Sequence, residues 1–266
     1  VLGQGGFGIT YLATDVHLSA QVAIKEYLPE EISFRANDAS VSPNASQHRD
    51  RYEQGLENFL TEARTLATFR HPNIVRVARF FEAHNTAYMV LEYERGRSFK
   101  KWWLGHKQPD ERQLVDRLRP LLDGLAAVHA AGYLHRDIKP DNIQVRREDG
   151  RFVLLDFGSA ELGEKFYDAP VGERRYMTPP EARVAIPDGG IGTLAWSAPE
   201  VHAGSGWTDK SDVYSIGHLL FRLMTGTAPK KGADPPTSIL ALVVTCPEGV
   251  AMAIEGALQV DPQARP

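Results

Sequence analysis

The sequence predicts an α+β fold in two parts, a β-rich first third followed by a mostly helical remainder. Three observations predict it. Two runs rich in β-branched and aromatic residues, Ile9-Thr10-Tyr11-Leu12-Ala13 and Val22-Ala23-Ile24-Lys25-Glu26-Tyr27, follow a cluster of glycines at the start of the chain. Past Gly96 the apolar residues recur at three and four, as in Leu114, Leu118, Leu121, Leu125 and Val128, which is the period of a helix. The composition, 42% hydrophobic and 24% charged over 266 residues, is that of a globular chain long enough to bury a core, so wholesale disorder is excluded.

Each element follows in order. Gly3, Gly5, Gly6 and Gly8 form a glycine turn, and residues 1–28 read as strands around it. Residues 29–52 are rich in Glu, Ser, Asn, Asp and Pro with little periodicity, and read as a long loop with at most one short ordered piece. Leu56, Phe59, Leu60, Ala63, Leu66 and Ala67 mark a helix that His71-Pro72-Asn73 ends. Ile74–Ala83 and Thr86–Glu92 read as a hairpin turning at His84-Asn85. The two parts join near Glu92–Ser98. Pro120 falls within the Leu114–Val128 helix and predicts a kink or the helix start there. Ile143–Arg146 and Phe152–Leu155 flank the turn Glu148-Asp149-Gly150. Val213, Ile216, Leu220, Leu223 and Met224 mark a helix begun near Thr208-Asp209 and stopped by Gly226, and Val250–Leu258 a short last one.

Thirty basic and 34 acidic residues give a net charge of −4, without the basic footprint of a nucleic-acid or membrane-surface binder. The single cysteine, Cys246, excludes an intrachain disulfide. No run approaches 18 apolar residues, and the first residues are not a signal peptide. The chain opens without Met and inside a motif, and reads as a piece of a longer protein.

Four segments carry candidate chemistry. Gly3-x-Gly5-x-x-Gly8 is weak evidence alone, since a dinucleotide fingerprint needs a helix next and Ile9-Thr10-Tyr11-Leu12 favours a strand. It fits a glycine-rich hairpin whose backbone N–H groups can approach phosphates, or an ordinary turn. Lys25 ends an apolar strand, where a lysine commonly reaches solvent. Glu62, on the helical stripe with Phe59 and Leu66, faces inward and needs a cation. Tyr133–Asn142 packs Asp137 and Asn142 ahead of the hairpin that ends in Asp156-Phe157-Gly158. Two carboxylates and an amide bracketing a short hairpin suit a base that orients a nucleophile, together with metal ligands.

Taken together, Gly3-x-Gly5-x-x-Gly8, Val22-Ala23-Ile24-Lys25, His135-Arg136-Asp137, Asn142, Asp156-Phe157-Gly158 and Ala198-Pro199-Glu200 resemble the protein-kinase motif set in order and spacing. The resemblance covers essentially the whole chain. The wording around Gly5–Tyr11 and Lys25–Pro29 is similar to bacterial Ser/Thr kinases of the eukaryotic-like, Hanks type.

That resemblance implies a bilobal fold, with an N-lobe over residues 1–91, a hinge over 92–98 and a C-lobe over 99–266. It implies ATP with Mg²⁺, or Mn²⁺, and a protein substrate carrying Ser or Thr. Gly3, Gly5, Gly6 and Gly8 would cover the phosphates, and Lys25, fixed by Glu62, would hold them. Ala23, Leu91 and Gln144, with the backbone of Glu92 and Glu94, would surround adenine, Leu91 as gatekeeper. Asp137 would accept the hydroxyl proton, Lys139 would neutralise the transferring phosphoryl group, and Asn142 and Asp156 would hold the metal. Lys139 and Thr193 follow the Ser/Thr pattern. Glu200 would pair with Arg265, Asp212 would anchor the catalytic loop, and Phe157, His135, Leu66 and Val77 would form an apolar spine. The domain itself would be cytoplasmic, with any membrane tether elsewhere in the full protein and the oligomeric state open.

Several features depart from the family or stand beside it. Gln144 replaces an apolar residue and Thr10 a frequent valine, with little expected effect. The stretch Ile186–Ile191 before Gly192-Thr193 carries no hydroxyl, so either Asp188 or Glu181 offers Arg136 a permanent anionic partner, or Arg136 pairs elsewhere or stays hydrated, or Thr178 or Tyr176 is modified instead. Trp102 and Trp103 are expected to pack, and His129 and His218 to be core or capping residues rather than metal ligands. Two readings compete with an active protein kinase. A pseudokinase scaffold would be favoured by loss of Lys25, Asp137 or Asp156, and all three are present. A small-molecule kinase would generally lack the glycine pattern and Ala-Pro-Glu.

Overall fold

The computed structural model describes residues 1–5, 8–105, 111–157, 196–229, 238–243 and 246–266. The chain divides into two compact units, Val1–Arg95 and Gly96–Pro266.

The first unit is a five-stranded antiparallel sheet and a helix. Its strands are β1 (Gly3–Gly5), β2 (Gly8–Asp15), β3 (Ala20–Tyr27), β6 (Val77–Ala83) and β7 (Thr86–Glu92), in spatial order β1-β2-β3-β7-β6. The β2–β3 register pairs Thr10 with Lys25, and the β3–β7 register pairs Ala23 with Leu91. The turn between β6 and β7 falls at His84-Asn85, where both residues have positive φ (55° and 56°). That is the backbone a two-residue hairpin turn requires to match strand twist.

Residues 29–48 depart from the expected loop. They fold into a small hairpin, β4 (Ser33–Arg35) with β5 (Val41–Pro43), followed by a 3₁₀ turn at Ser46–His48. Helix α1 then begins at Arg49, well ahead of its first strongly apolar residues, and runs to Thr68. Its first two turns are polar apart from Tyr52, so apolar periodicity does not reveal them. Tyr52, Phe59, Leu60, Ala63 and Leu66 form its buried stripe, and Glu62 lies on it.

The second unit opens with β8 (Gly96–Ser98) and α2 (Phe99–Leu104), capped by the Ser98 hydroxyl on the Lys101 N–H. Helix α3 (Glu111–Ala130) contains Pro120 in its interior, so the proline does not mark its start. β9 (Ile143–Arg146) and β10 (Phe152–Leu154) complete a three-stranded sheet in the order β10-β9-β8. Phe152 is fully buried against Phe99 and Trp102, which accounts for Trp102 as a packing residue. Then come α4 (Pro199–His202), α5 (Asp209–Thr225) and α6 (Glu248–Ala257). Helix α5 starts in a capping box between Thr208 and Ser211 and ends at Gly226, whose φ is 71°. It is the most deeply buried of these helices, packing Tyr214 and Phe221 in a core with Trp207, Ala251 and Ile254. No helix among the described residues is long and apolar enough to cross a membrane.

Candidate active site

In the first unit β3 carries Lys25 and α1 carries Glu62. The Lys25 ammonium donates to Glu62 Oε1 at 3.2 Å, with side chains only 12% and 6% exposed. The inward carboxylate therefore has the cation its position demanded. Ala23 and Leu91 are buried ladder partners on adjacent strands, and Glu92 pairs with Val22. Gly3 and Gly8 differ in what holds them. A Cβ on Gly3 would meet nothing within 4 Å, whereas one on Gly8 would lie 1.8 Å from the Glu26 carbonyl oxygen, at a φ of 149°. Gly8 is thus fixed by packing against β3, while Gly3 leaves open space above β1. Gly5 ends β1, and Gly6 lies outside the described residues.

In the second unit Leu134–Asn142 joins α3 to β9. Asp212, in α5, has its side chain 1% exposed and organises the loop from behind. It accepts from the backbone N–H of His135 at 2.8 Å and of Arg136 at 2.9 Å, and from His129 Nε2 at 2.8 Å. Burial alone would raise its pKa, but His129 and these donors outweigh that and hold the carboxyl below its ordinary range. His129 is therefore more than apolar packing. It secures the Asp212 anchor, a contact 83 residues long in sequence that periodicity cannot show.

His135 is wholly buried, which pushes its imidazole below the usual range despite Asp212, Asp137 and Asp156 nearby. Its Nδ1 accepts from the Asp137 N–H at 3.3 Å, so the ring is neutral with its proton on Nε2. Its ring lies 4.5 Å from that of Phe157. Leu66 and Val77 are buried in the first unit.

Asp137 is held asymmetrically. Oδ2 accepts from Lys139 Nζ at 2.6 Å and from Asn142 Nδ2 at 2.7 Å, and the same amide nitrogen donates to the Asp137 carbonyl at 2.9 Å. Oδ1 is buried and has no hydrogen-bond partner among the described residues. With its nitrogen committed to Asp137, Asn142 has a carbonyl oxygen as its other function. Leu155 N–H donates to the Asn142 backbone carbonyl at 2.9 Å, which sets Asp156 just beyond Asn142 across the β9–β10 hairpin. An amide oxygen and a carboxylate are hard oxygen donors of the kind Mg²⁺ and Mn²⁺ take, so the residues fit such an ion. Gln144 is half-buried in β9, paired with Val153 and Ser98.

Behind the loop, Glu200 and Arg265 form a two-pronged ion pair at 2.7 and 2.8 Å. Thr193, Asp188, Glu181, Thr178 and Tyr176 lie outside the described residues. Glu26 is a residue the motif reading passed over. It is 2% exposed in β3 beside Lys25, and accepts from Tyr11 and Arg35.

In the second unit a carboxylate has one oxygen clamped by an adjacent lysine and an asparagine and the other unpaired among the described residues, and in the first a buried lysine is paired with a glutamate. The sequence family described as protein kinase domain matches residues 1–249. The chain belongs to the protein kinase family. It is 33% identical to the serine/threonine-protein kinase pkn2 of Myxococcus xanthus over 242 residues, covering 88% of this chain and 25% of that protein. The probable serine/threonine-protein kinase pknA2 of Bifidobacterium longum is 28% identical, over 98% of this chain and 30% of its own length. A solved structure titled "PpkA-294 apo form" superposes with a TM-score of 0.77 at 31% identity, covering 99% of this chain and 89% of that one. This kinase domain is of the bacterial Hanks Ser/Thr type, with the α+β protein-kinase fold. It spans between a quarter and a third of the length of these two curated relatives.

Proposed function

We propose that this domain transfers the γ-phosphoryl group of ATP to Ser and Thr hydroxyls of protein substrates in bacterial signalling, with Mg²⁺ as the working ion and Mn²⁺ as a substitute. The observation that carries the reading is the divided Asp137 carboxylate. Oδ2 is clamped by Lys139 and Asn142, which orients the group, while buried Oδ1 is left to accept a hydroxyl proton. Lys139, 2.6 Å from Oδ2, also stands ready to balance charge on a transferring phosphoryl group. Lys25, held by Glu62, supplies the cation for the α- and β-phosphates, and backbone N–H groups around Gly3, Gly5, Gly6 and Gly8 approach them. Ala23, Leu91, Gln144 and the backbone of Glu92 and Glu94 receive adenine, and Thr193 orders the acceptor hydroxyl. Asn142 and Asp156 would hold the divalent ion, whose contribution when bound is to neutralise phosphate charge. Residues 1–91 would act as the N-lobe, 92–98 as the hinge and 99–266 as the C-lobe. The domain would work in the cytoplasm.

The test is transfer from γ-labelled ATP to a generic protein substrate with Mg²⁺ or Mn²⁺, with Asp137→Ala in parallel. Label on Ser and Thr, lost in Asp137→Ala, is expected. Label only on tyrosine, on a small molecule, or equally with the variant would refute the reading.

A further inference from the structure

Segment 29–48 is a built element, and its main tie is a buried charge. Along a strand successive side chains point to opposite faces, so Glu26 lies on the face of β3 opposite Lys25. A carboxylate that is 2% exposed requires partners. Arg35 of β4 provides the charge, donating to Glu26 Oε2, and Tyr11 of β2 donates to the same oxygen at 3.0 Å. Tyr88 of β7 is the ladder partner of Glu26. Burial and then Glu26 push its phenol up to about 12, so it stays a donor at neutral pH. Arg35 is oriented in turn by the Ala39 carbonyl at 2.9 Å.

The hairpin is fastened elsewhere as well. Val41 N–H donates to the His84 carbonyl at 2.8 Å, Ser33 Oγ to the Pro29 carbonyl at 2.8 Å, and Asn44 N–H to the Ile32 carbonyl at 2.9 Å. Directly after it α1 begins, and its first turns are fixed to the same sheet. Tyr52 Oη donates to the Asn85 carbonyl at 2.7 Å, and Tyr27 Oη to the Tyr52 carbonyl at 3.2 Å. Tyr27 fits against Gly55, where a Cβ would come within 2.1 Å of its hydroxyl oxygen. Its ring also meets Phe59, one turn before Glu62, at 5.8 Å. A continuous set of contacts thus runs from Arg35 and Glu26 through β3 and Tyr27 to the helix face that presents Glu62.

We propose that hairpin Ser33–Pro43, tied through Arg35 to Glu26, is a positioning brace that sets α1 in the register where Glu62 meets Lys25. Arg35 and Glu26 are positioning residues, acting through the ion pair on the opposite face of β3. The inference rests on the reading of Lys25 and Glu62 as the phosphate-holding pair.

A cycle of variants tests it. Arg35→Ala should lower kcat/KM for ATP by about ten- to a hundredfold, the scale of a misplacement near 1 Å. In a Glu62→Gln background, where the pair is already broken, the same change should cost less than about twofold, because coupled groups are not additive. A merely structural role would give the same fractional loss in both backgrounds. If circular dichroism shows Arg35→Ala unfolded, Arg35→Lys takes its place, with a smaller loss that should again vanish beside Glu62→Gln. Equal losses in the two backgrounds, or no loss in an active wild-type background, overturn the brace alone. A wild type no faster than Asp137→Ala overturns the kinase reading and the brace with it.

Discussion

Replacing Arg265 with Ala should be the most destabilising single change among the ion pairs of the second unit. The Arg265 side chain is fully buried and all of its N–H groups are used. Nε donates to the Gln259 carbonyl at 2.8 Å. Nη1 donates to Glu200 Oε1 and the Lys210 carbonyl, and Nη2 to Glu200 Oε2 and the Val260 carbonyl. The guanidinium also lies 5.0 Å from the Tyr214 ring centre. Truncation strands a largely buried carboxylate and several carbonyls, and breaking a buried pair from one side costs about 3–5 kcal/mol. For a unit of this size each kcal/mol moves Tm by about 2–4 °C, so a fall of about 6–20 °C is expected. Arg265→Lys should rescue little, since an ammonium cannot reproduce the planar fork. The double variant Glu200→Gln with Arg265→Met should be milder than Arg265→Ala, because no unpaired charge remains. Thermal unfolding followed by circular dichroism measures all three. A fall in Tm below about 4 °C for Arg265→Ala would refute the reasoning, as would a double variant worse than the single.

Asp137→Asn should cut kcat by about 10²–10⁴ with nucleotide affinity retained, measured by phosphoryl transfer beside fluorescent-nucleotide titration. Gly8→Ala should destabilise by about 2 kcal/mol or more in urea unfolding, since its Cβ would meet the Glu26 carbonyl at 1.8 Å. Gly3→Ala, with nothing within 4 Å, should leave stability unchanged and raise KM for ATP if the phosphates approach there. Acid should destabilise the domain in two stages. His135 is held below its ordinary range by burial, so the unfolded chain takes up its proton first, and stability falls as pH drops below about 6.5. Asp212 is also held low, its neighbours outweighing burial, so its contribution is present above the unfolded carboxylate range and is lost on descent through it. Urea midpoints across pH should show both stages, and His135→Phe should remove only the upper one.

The elements that sequence made legible are those whose signal is local. The β6–β7 hairpin is readable because two apolar runs flank a two-residue break at His84-Asn85. Helix α5 is readable because a capping residue, an apolar period and a glycine stop agree. Glu62 is readable as an inward carboxylate because it lies on the apolar stripe of its helix, whereas Lys25, Asp137 and Asn142 take their expected roles from the resemblance to the protein-kinase motif set. The hairpin β4–β5 is not readable, since strands of three residues are too short to show alternation, and its stability comes from Glu26 and His84 elsewhere in the chain. Glu26 sat in plain view within a strand, but only the fold brings Arg35, Tyr11 and Tyr88 around it. The His129–Asp212 contact escaped for the same reason, since nothing local joins a histidine on α3 to Asp212 on α5, 83 residues away.

Arg136 has a φ of 63°, a left-handed backbone that a residue with a side chain adopts at a cost of about 1–3 kcal/mol. Its own N–H is one of those Asp212 accepts, at 2.9 Å. The loop is therefore loaded like a bent spring, and α5 is the clamp. Weakening the clamp with Asp212→Asn would do more than delete hydrogen bonds, because relief of strain would itself drive Arg136 towards an ordinary extended or helical conformation and carry the neighbouring Asp137 with it. A glycine at 136 would bear that geometry without load. The order that presents Asp137 is thus installed when the domain folds, and its energetic source is a buried helix packed behind the Leu134–Asn142 loop.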